Sequence, residues 1–158
     1  MDVGQFLRSL RDDARGASVI ELALVGPLLA YLFMGVVDAS NGVARKHQLE
    51  QSAQRAVEMA TSYGTAGSDF SRIDDEAASA AGVPVSQVTF DQWLECDGVR
   101  QQTFYDVCDP DEPFARYVSV EVTDDFVPTF PYGPIGTLAG VNDEGVVPIT
   151  VDAQVRIQ

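Results

Sequence analysis

The sequence predicts an α+β protein in which one long N-terminal helix precedes a small antiparallel β-sheet. Three patterns carry this prediction. Residues 17–37 are almost entirely apolar, and residues 38–63 continue with the spacing of an amphipathic helix. The chain after residue 85 contains runs in which apolar and polar residues strictly alternate, as in half-buried strands. The 158 residues are enough for one modest domain, not two.

The composition excludes several functional classes. The chain has 10 Lys+Arg against 24 Asp+Glu, a net charge of −14. Because nucleic-acid binding needs clustered cations, we expect no nucleic-acid partner. The single histidine, His47, rules out a two-histidine zinc motif, and two cysteines rule out a four-cysteine site. No nucleophile elbow or phosphate-binding glycine loop occurs, so the sequence predicts neither catalysis nor a cofactor.

Residues 1–16 form a short polar leader. Its cations favour a cytoplasmic N-terminus, because Lys and Arg near a membrane span set its orientation while carboxylates count little. Arg45 and Lys46, beyond the other end of the apolar stretch, weaken this prediction. The leader's cations are Arg8, Arg11 and Arg15.

Residues 17–37 are long enough to cross a membrane, which takes about 20 mostly apolar residues. Their single charge is Glu21. A carboxylate inside hydrocarbon is costly unless paired, which marks it as a functional residue; the alternative is a hydrated carboxylate at the interface. Pro27 removes a backbone donor and predicts a kink, with or without a role. Small residues recur in this stretch without the GxxxG spacing, which is a weak signal for close helix packing.

Residues 38–63 are predicted to continue the helix outside the membrane, ending at Gly64 or Gly67. A short second helix is predicted within 68–84, capped by Ser71 and ended by Gly82 and Pro84. The residues expected to form the apolar face of the first helix are Leu49, Ala53, Ala56, Val57 and Ala60.

Alternation predicts strands at 118–122 and 149–157, and apolar residues within 88–94 indicate another. The segment 126–140 is rich in Pro, Gly and aromatic residues, so it is predicted to be a loop. Its apolar side chains either cover the sheet, which we favour, or meet a partner. In the second case Phe130 and Tyr132 are the expected contacts.

Three acidic clusters are expected in loops within residues 64–158. Clustered carboxylates in loops sometimes bind calcium, but none of the three has the EF-hand pattern. Solvated loops are therefore the favoured interpretation. The clusters are Asp109, Asp111 and Glu112; Asp124 and Asp125; and Asp143 and Glu144.

The first third of the chain resembles the N-terminal segment of TadE-like proteins, minor pseudopilins of the tight-adherence (Flp-type IVb) pilus. The shared features begin with Gly16 at the end of the leader, Glu21 five residues later, and Ala-Leu-Val before Pro27. A Leu-rich run, the step Gly-Val-Val-Asp at 35–38 and an Ala/Arg-rich amphipathic helix follow. The resemblance covers about residues 11–61. The leader departs from the family in being nearly neutral, where such leaders are usually basic.

The resemblance implies a pilin-like precursor that a prepilin peptidase cuts between Gly16 and Ala17. It implies that Glu21 pairs with the N-terminal amine of a neighbouring subunit, and that the protein assembles with other pilin subunits at the inner membrane. The implied organisation is a cytoplasmic leader, a membrane helix at 17–37, its continuation at 38–63 and a periplasmic α+β domain at 64–158. Whether the subunit enters the fibre stays open, and an uncleaved single-pass envelope module is the alternative.

Cys96 and Cys108 are the only two cysteines. Two interpretations are available, a disulfide and a pair of buried thiols. Because a membrane anchor implies export to an oxidising compartment, we favour the disulfide.

Overall fold

The computed structural model describes residues 14–63, 70, 72–130, 132–133, 136–137 and 140–158. The chain divides into two compact units after Ser40, Met1–Ser40 and Asn41–Gln158. Each unit is treated separately below.

Helix α1 spans Ala14–Tyr63, 50 residues, and belongs to the first unit up to Ser40. It begins three residues before the predicted start at Ala17, because Ala14 and Arg15 are both strong helix formers. Pro27 lies inside the helix, which continues on both sides of it. One missing backbone donor therefore does not end this helix. Gly64 and Gly67, the predicted stop signals, lie outside the described residues.

The second unit contains the predicted short helix, α2, over Ile73–Ala81. Three acids in its first turn interact favourably with the positive end of the helix dipole. Its end is set by Gly82 in the left-handed conformation, φ 68°. The Gly82 amide and the next one, that of Val83, both donate to the Ala78 carbonyl, the second at 3.1 Å, which closes the C-terminal end of the helix. The predicted cap, Ser71, lies outside the described residues.

A four-stranded antiparallel sheet completes the second unit, and the predicted α+β class is confirmed. The strands are β1 Val88–Cys96, β2 Val99–Arg100, β3 Phe114–Phe126 and β4 Val147–Arg156. Neighbouring strands pair in the order β2-β1-β3-β4. Three of them correspond to predicted strands: β1 and β3 extend the segments 88–94 and 118–122, whereas β4 begins two residues before the predicted 149–157 and ends one residue earlier. β2 was not predicted, because its two residues are too few to alternate. It follows a tight hairpin turn in which Asp97 and Gly98 have φ of 50° and 76°.

The core of the second unit lies between α1 and the inner face of the sheet. The predicted apolar face of the helix is buried; Leu49, for example, has no exposed surface. Alternate residues of β3 and β4 form the opposite wall, and aromatic residues close its side. The cluster contains Leu49, Ala53, Ala56, Val57, Ala60, Phe70, Ile73, Ala77, Ala81, Phe104, Val118, Val120, Val122, Ile149 and Val151.

One acidic pair was placed wrongly by the sequence analysis. Asp124 and Asp125 lie in strand β3 rather than in a solvated loop. The Asp124 carboxylate accepts a hydrogen bond from Arg45 Nε at 2.6 Å, and its side chain is only 18% exposed. Arg45 also donates to the Ala81 carbonyl at 2.9 Å. Arg45 thus ties α1 to the end of α2 and to the sheet.

Candidate membrane and assembly segment

The first unit presents a helix that is apolar on every side. Large side chains such as Leu22, Leu24 and Phe33 are 68–75% exposed. The most apolar 18-residue window of α1 has a mean hydropathy of 2.1, and none of it is buried. The 19 residues from Val19 to Val37 span about 28 Å at about 1.5 Å each, close to the ~30 Å hydrocarbon core of a bilayer. This helix is long and apolar enough to cross a membrane.

Glu21 lies near the start of this apolar helix, on an exposed surface. Leu22 and Ile20 beside it are also exposed, by 68% and 64%. Within hydrocarbon a carboxylate at this position would need a cation or several hydrogen bonds from a neighbouring molecule. Gly26 and Gly35 leave space on the helix surface, since a Cβ built on either would meet no atom within 4 Å. The surface around them is therefore open to another helix.

The Gly16–Ala17 bond lies in the first turn of α1, which begins at Ala14. A protease binds its substrate in extended form, so cutting here requires the first helical turn to open. First turns open readily, because their amides lack partners within the helix, and glycine lowers helix stability further. Residues 1–13 of the predicted leader lie outside the described residues.

Together, these features define a protein whose described residues include one helix able to span a membrane, followed by a small α+β unit. Residues 16–58 match the family of TadE-like proteins. This match confirms the resemblance seen in the sequence, and it includes the Gly16, Glu21 and Pro27 positions. Through this match the chain is associated with the Tad pilus. No curated protein and no solved structure gives a significant match.

The acid that ends the family pattern, Asp38, is almost completely buried, with 4% of its surface exposed. A carboxylate is rarely buried without a partner, and Asp38 has one. Asp38 belongs to the residues that carry the family resemblance, but its burial was not predicted from the sequence.

Phe130 and Tyr132, the predicted partner contacts, are both half-buried. They line a cavity of about 550 Å³ together with Pro128 and Asn142. Their rings are thus neither fully inserted in the core nor fully presented to solvent. Whether they meet a partner stays a prediction. Ile135 and Leu138 of the same loop lie outside the described residues.

Cys96 and Cys108 form a disulfide, the pairing that the sequence analysis favoured, with their Cα atoms 5.5 Å apart. It closes a loop whose Phe104 ring is buried in the core, only 5% exposed. Arg116 holds the same loop by donating to the carbonyls of Phe104 and Asp106 at 3.1 and 2.9 Å. The sequence analysis missed both residues, since neither belongs to a periodic pattern.

The outer face of the sheet carries a row of stacked groups that the sequence analysis did not identify. The Arg100 guanidinium lies 4.7 Å from the centre of the Trp93 ring. Trp93 stacks on Tyr117 with 5.3 Å between ring centres, and Tyr117 lies opposite Arg156 on β4. Such rows stabilise strand pairing. The sequence did indicate that Trp93 lies on the outer face, because it is at the opposite position in the alternation from the inward Phe90 and Leu94.

The acidic clusters remain largely exposed. Asp109, Asp111 and Glu112 are all exposed in the loop before β3. Among the residues that the structure describes, no three His, Cys, Asp or Glu side chains are grouped so that they could hold a metal ion.

Proposed function

We propose that this chain is a membrane-inserted minor pilin or pseudopilin that takes part in assembly of a Tad pilus, with a structural role. The observation that carries the proposal is the apolar helix with a single carboxylate, Glu21, inside the segment that matches TadE-like proteins. A plain anchor does not need a charge in this stretch, because an uncharged residue at position 21 would insert into the membrane more easily.

The proposed precursor is cut between Gly16 and Ala17 by a prepilin peptidase at the cytoplasmic face of the inner membrane. Cutting creates a new amine on Ala17, four residues before Glu21. Four helical residues rise about 6 Å. A neighbouring subunit displaced by about this distance along the helix axis therefore places its amine beside Glu21. Each charge then offsets the desolvation cost of the other.

The proposed topology places residues 1–16 in the cytoplasm and 64–158 in the periplasm. Residues 38–63 would extend the membrane helix at 17–37 into the periplasmic domain. The disulfide between Cys96 and Cys108 supports this orientation, because such bonds persist in oxidising compartments. The arginines of the leader support it through the positive-inside rule.

The experiment compares two glutamate substitutions on the same helix. Glu21→Gln removes the charge in the apolar stretch and keeps the side-chain shape. Glu58→Gln does the same at an exposed position outside that stretch. Each variant replaces the wild-type gene in a strain that builds the pilus, and pili per cell are counted by electron microscopy.

We expect Glu21→Gln to be cut normally and to reduce the number of pili at least tenfold, while Glu58→Gln has no effect. Equal numbers of pili for Glu21→Gln and wild type would contradict the proposed pairing. A chain that is never cut and does not affect the pilus would instead be a single-pass module of the envelope.

A further inference from the structure

In the described part of the chain, strand β4 has a neighbouring strand on one side only. It is the terminal strand in the order β2-β1-β3-β4 and has ten residues, whereas β2 at the other end has two. Among the described residues, β4 pairs only with β3. We call its unpaired side the β4 edge. A strand of this length with free backbone groups is able to pair with another chain.

The backbone of β4 shows which residues form this edge. The Ile157 amide donates to the Arg116 carbonyl of β3 at 2.8 Å. Successive residues of an antiparallel strand direct their backbone groups to opposite sides. Within Val147–Arg156 the odd-numbered residues therefore bond to β3, and the even-numbered ones direct their backbone groups to the β4 edge. Beyond the strand this alternation ends, since the Gln158 carbonyl accepts from the Arg116 amide of β3 at 3.2 Å. The even-numbered residues of β4, which all have exposed side chains, are Pro148, whose nitrogen carries no hydrogen, and Thr150, Asp152, Gln154 and Arg156.

Two charges on this edge have no oppositely charged partner among the residues that the structure describes. Asp152 lies directly opposite Glu121 of β3, a like-charge pair that destabilises the sheet. Four residues later, Arg156 donates only to carbonyl oxygens, those of Gln158 at 2.7 Å and Phe114 at 3.2 Å. Within the described part of the chain, neither Asp152 nor Arg156 has an ion pair. The edge thus presents an anion and a cation four residues apart, so that two antiparallel copies can place each charge opposite its counterpart.

We propose that the β4 edge pairs with the β4 edge of a second copy of this chain, antiparallel and centred on Gln154. In this register Asp152 of each copy faces Arg156 of the other. The exchange occurs twice, and both charges are matched. Arg156 of each copy then lies beside Asp152 of the other copy, which itself lies opposite Glu121 of its own β3. The positive charge of the arginine offsets the repulsion between these two carboxylates.

Other symmetric registers satisfy these charges less well. Centring the pair on Asp152 places two aspartates opposite each other. Centring it on Ala153 pairs Asp152 with Gln154 and leaves both arginines without a carboxylate. Charge complementarity therefore selects the register centred on Gln154.

The inner face of the edge favours the same register. Ala153, Val155 and Ile157 point towards the core, yet they are only half-buried. Centring on Gln154 sets Ala153 beside Val155 of the second copy, and Ile157 beside its Val151. The pairing would thus cover apolar surface that one copy leaves partly exposed.

This inference goes beyond the proposed function and does not depend on it. The pairing requires neither cleavage of the leader nor a charge at residue 21. A failed cross-link would leave the processing experiments untouched, and a failed cleavage would leave the pairing untouched.

The test places one cysteine in the full-length chain and measures disulfide cross-linking in native membranes. The described cysteines are both in the native disulfide, so an added cysteine is a unique thiol. Gln154→Cys puts two thiols at the symmetry centre, with Cα atoms about 5.5 Å apart, inside the disulfide range. The matched control is Thr150→Cys on the same edge. In this register it lies opposite Gln158, so two such cysteines are about 27 Å apart.

We expect Gln154→Cys to give at least tenfold more covalent dimer than Thr150→Cys. Adding Asp152→Arg to the Gln154→Cys chain should abolish the dimer. Adding Arg156→Asp as well should restore it, because arginine then faces aspartate again. This rescue also shows that loss of dimer in the single reversal is not loss of folding.

Three results would overturn the proposal. Equal cross-linking at 150 and 154 would assign association to the membrane helix. A dimer that persists in Asp152→Arg would show that the pairing does not depend on the match between Asp152 and Arg156. No dimer from Gln154→Cys would show that the charges guard the edge against pairing, as in many edge strands.

Discussion

Replacing Leu49 by alanine tests the packing of helix α1 on the sheet. Leu49 has no exposed surface and lies in the same cluster as Val118, Val120 and Val122. Leucine-to-alanine changes in cores cost about 2.7–5 kcal/mol, the value rising with the cavity that remains. The surrounding valines are stiff at χ1 and refill space poorly. We therefore expect Leu49→Ala to lower the free energy of unfolding by about 3–4 kcal/mol.

Two valines on the same helix provide a matched comparison. Val57 is 6% exposed and Val43 is 56% exposed, so one substitution removes buried methyl groups and the other removes largely hydrated ones. Burial of each methylene-sized group contributes about 0.8 kcal/mol. We expect Val57→Ala to cost about 1.5–2.5 kcal/mol and Val43→Ala less than about 0.5 kcal/mol.

The assay is urea unfolding of the full chain in detergent, followed by tryptophan fluorescence. Trp93 is the chain's single tryptophan and lies in β1, stacked on Tyr117. Its emission therefore reports the sheet and not the membrane helix. If Leu49→Ala unfolds at the same urea concentration as Val43→Ala, the helix does not pack on the sheet as described.

Three further changes test separate contacts of the second unit by the same assay. Replacing Cys96 and Cys108 by serine should cost about 3 kcal/mol, the chain-entropy value for a loop of this size, and an unchanged midpoint would show that the bond does not constrain the unfolded chain. Asp124→Asn should cost about 1–2 kcal/mol, because it weakens a charge-assisted hydrogen bond that is mostly shielded from water, whereas Asp91→Asn at the exposed pair should cost less than about 0.5 kcal/mol. Gly82→Ala should cost about 1–2 kcal/mol, since the left-handed conformation strains any residue with a Cβ, and no loss would mean that α2 ends differently.

Periodic patterns made most of this fold predictable. Alternation at Val118–Val122 identified β3, because one buried face fixes the side on which every second residue must lie. The face of Leu49 and Val57 followed from helical spacing. Both patterns depend on neighbours in sequence, which one chain displays directly.

Contacts between distant residues were not predictable in the same way. Arg45 and Asp124 are 79 positions apart, and no local pattern indicates that they meet. Phe104 lies in a loop without periodicity, so its insertion into the core depends on the disulfide and on Arg116. β2 has too few residues to alternate, although the Asp97-Gly98 turn before it is a hairpin signal.

The candidate site was predictable in kind because its signal is compositional. A single carboxylate, Glu21, in an otherwise uncharged stretch is visible in the sequence, and the match at residues 16–58 falls on the same segment. The charges at the β4 edge were not visible in this way. Asp152 and Arg156 become complementary only after the register of the sheet is known.

The N-terminus of the mature chain tests the proposed function most directly. The measurement is N-terminal sequencing and intact mass of the protein extracted from membranes of a host that contains the prepilin peptidase. We expect the chain to begin at Ala17, and Gly16→Val to leave the leader attached, because a branched side chain hinders the extended backbone at the cut site. A wild-type chain that still begins at Met1 or Asp2 would contradict the pilin assignment.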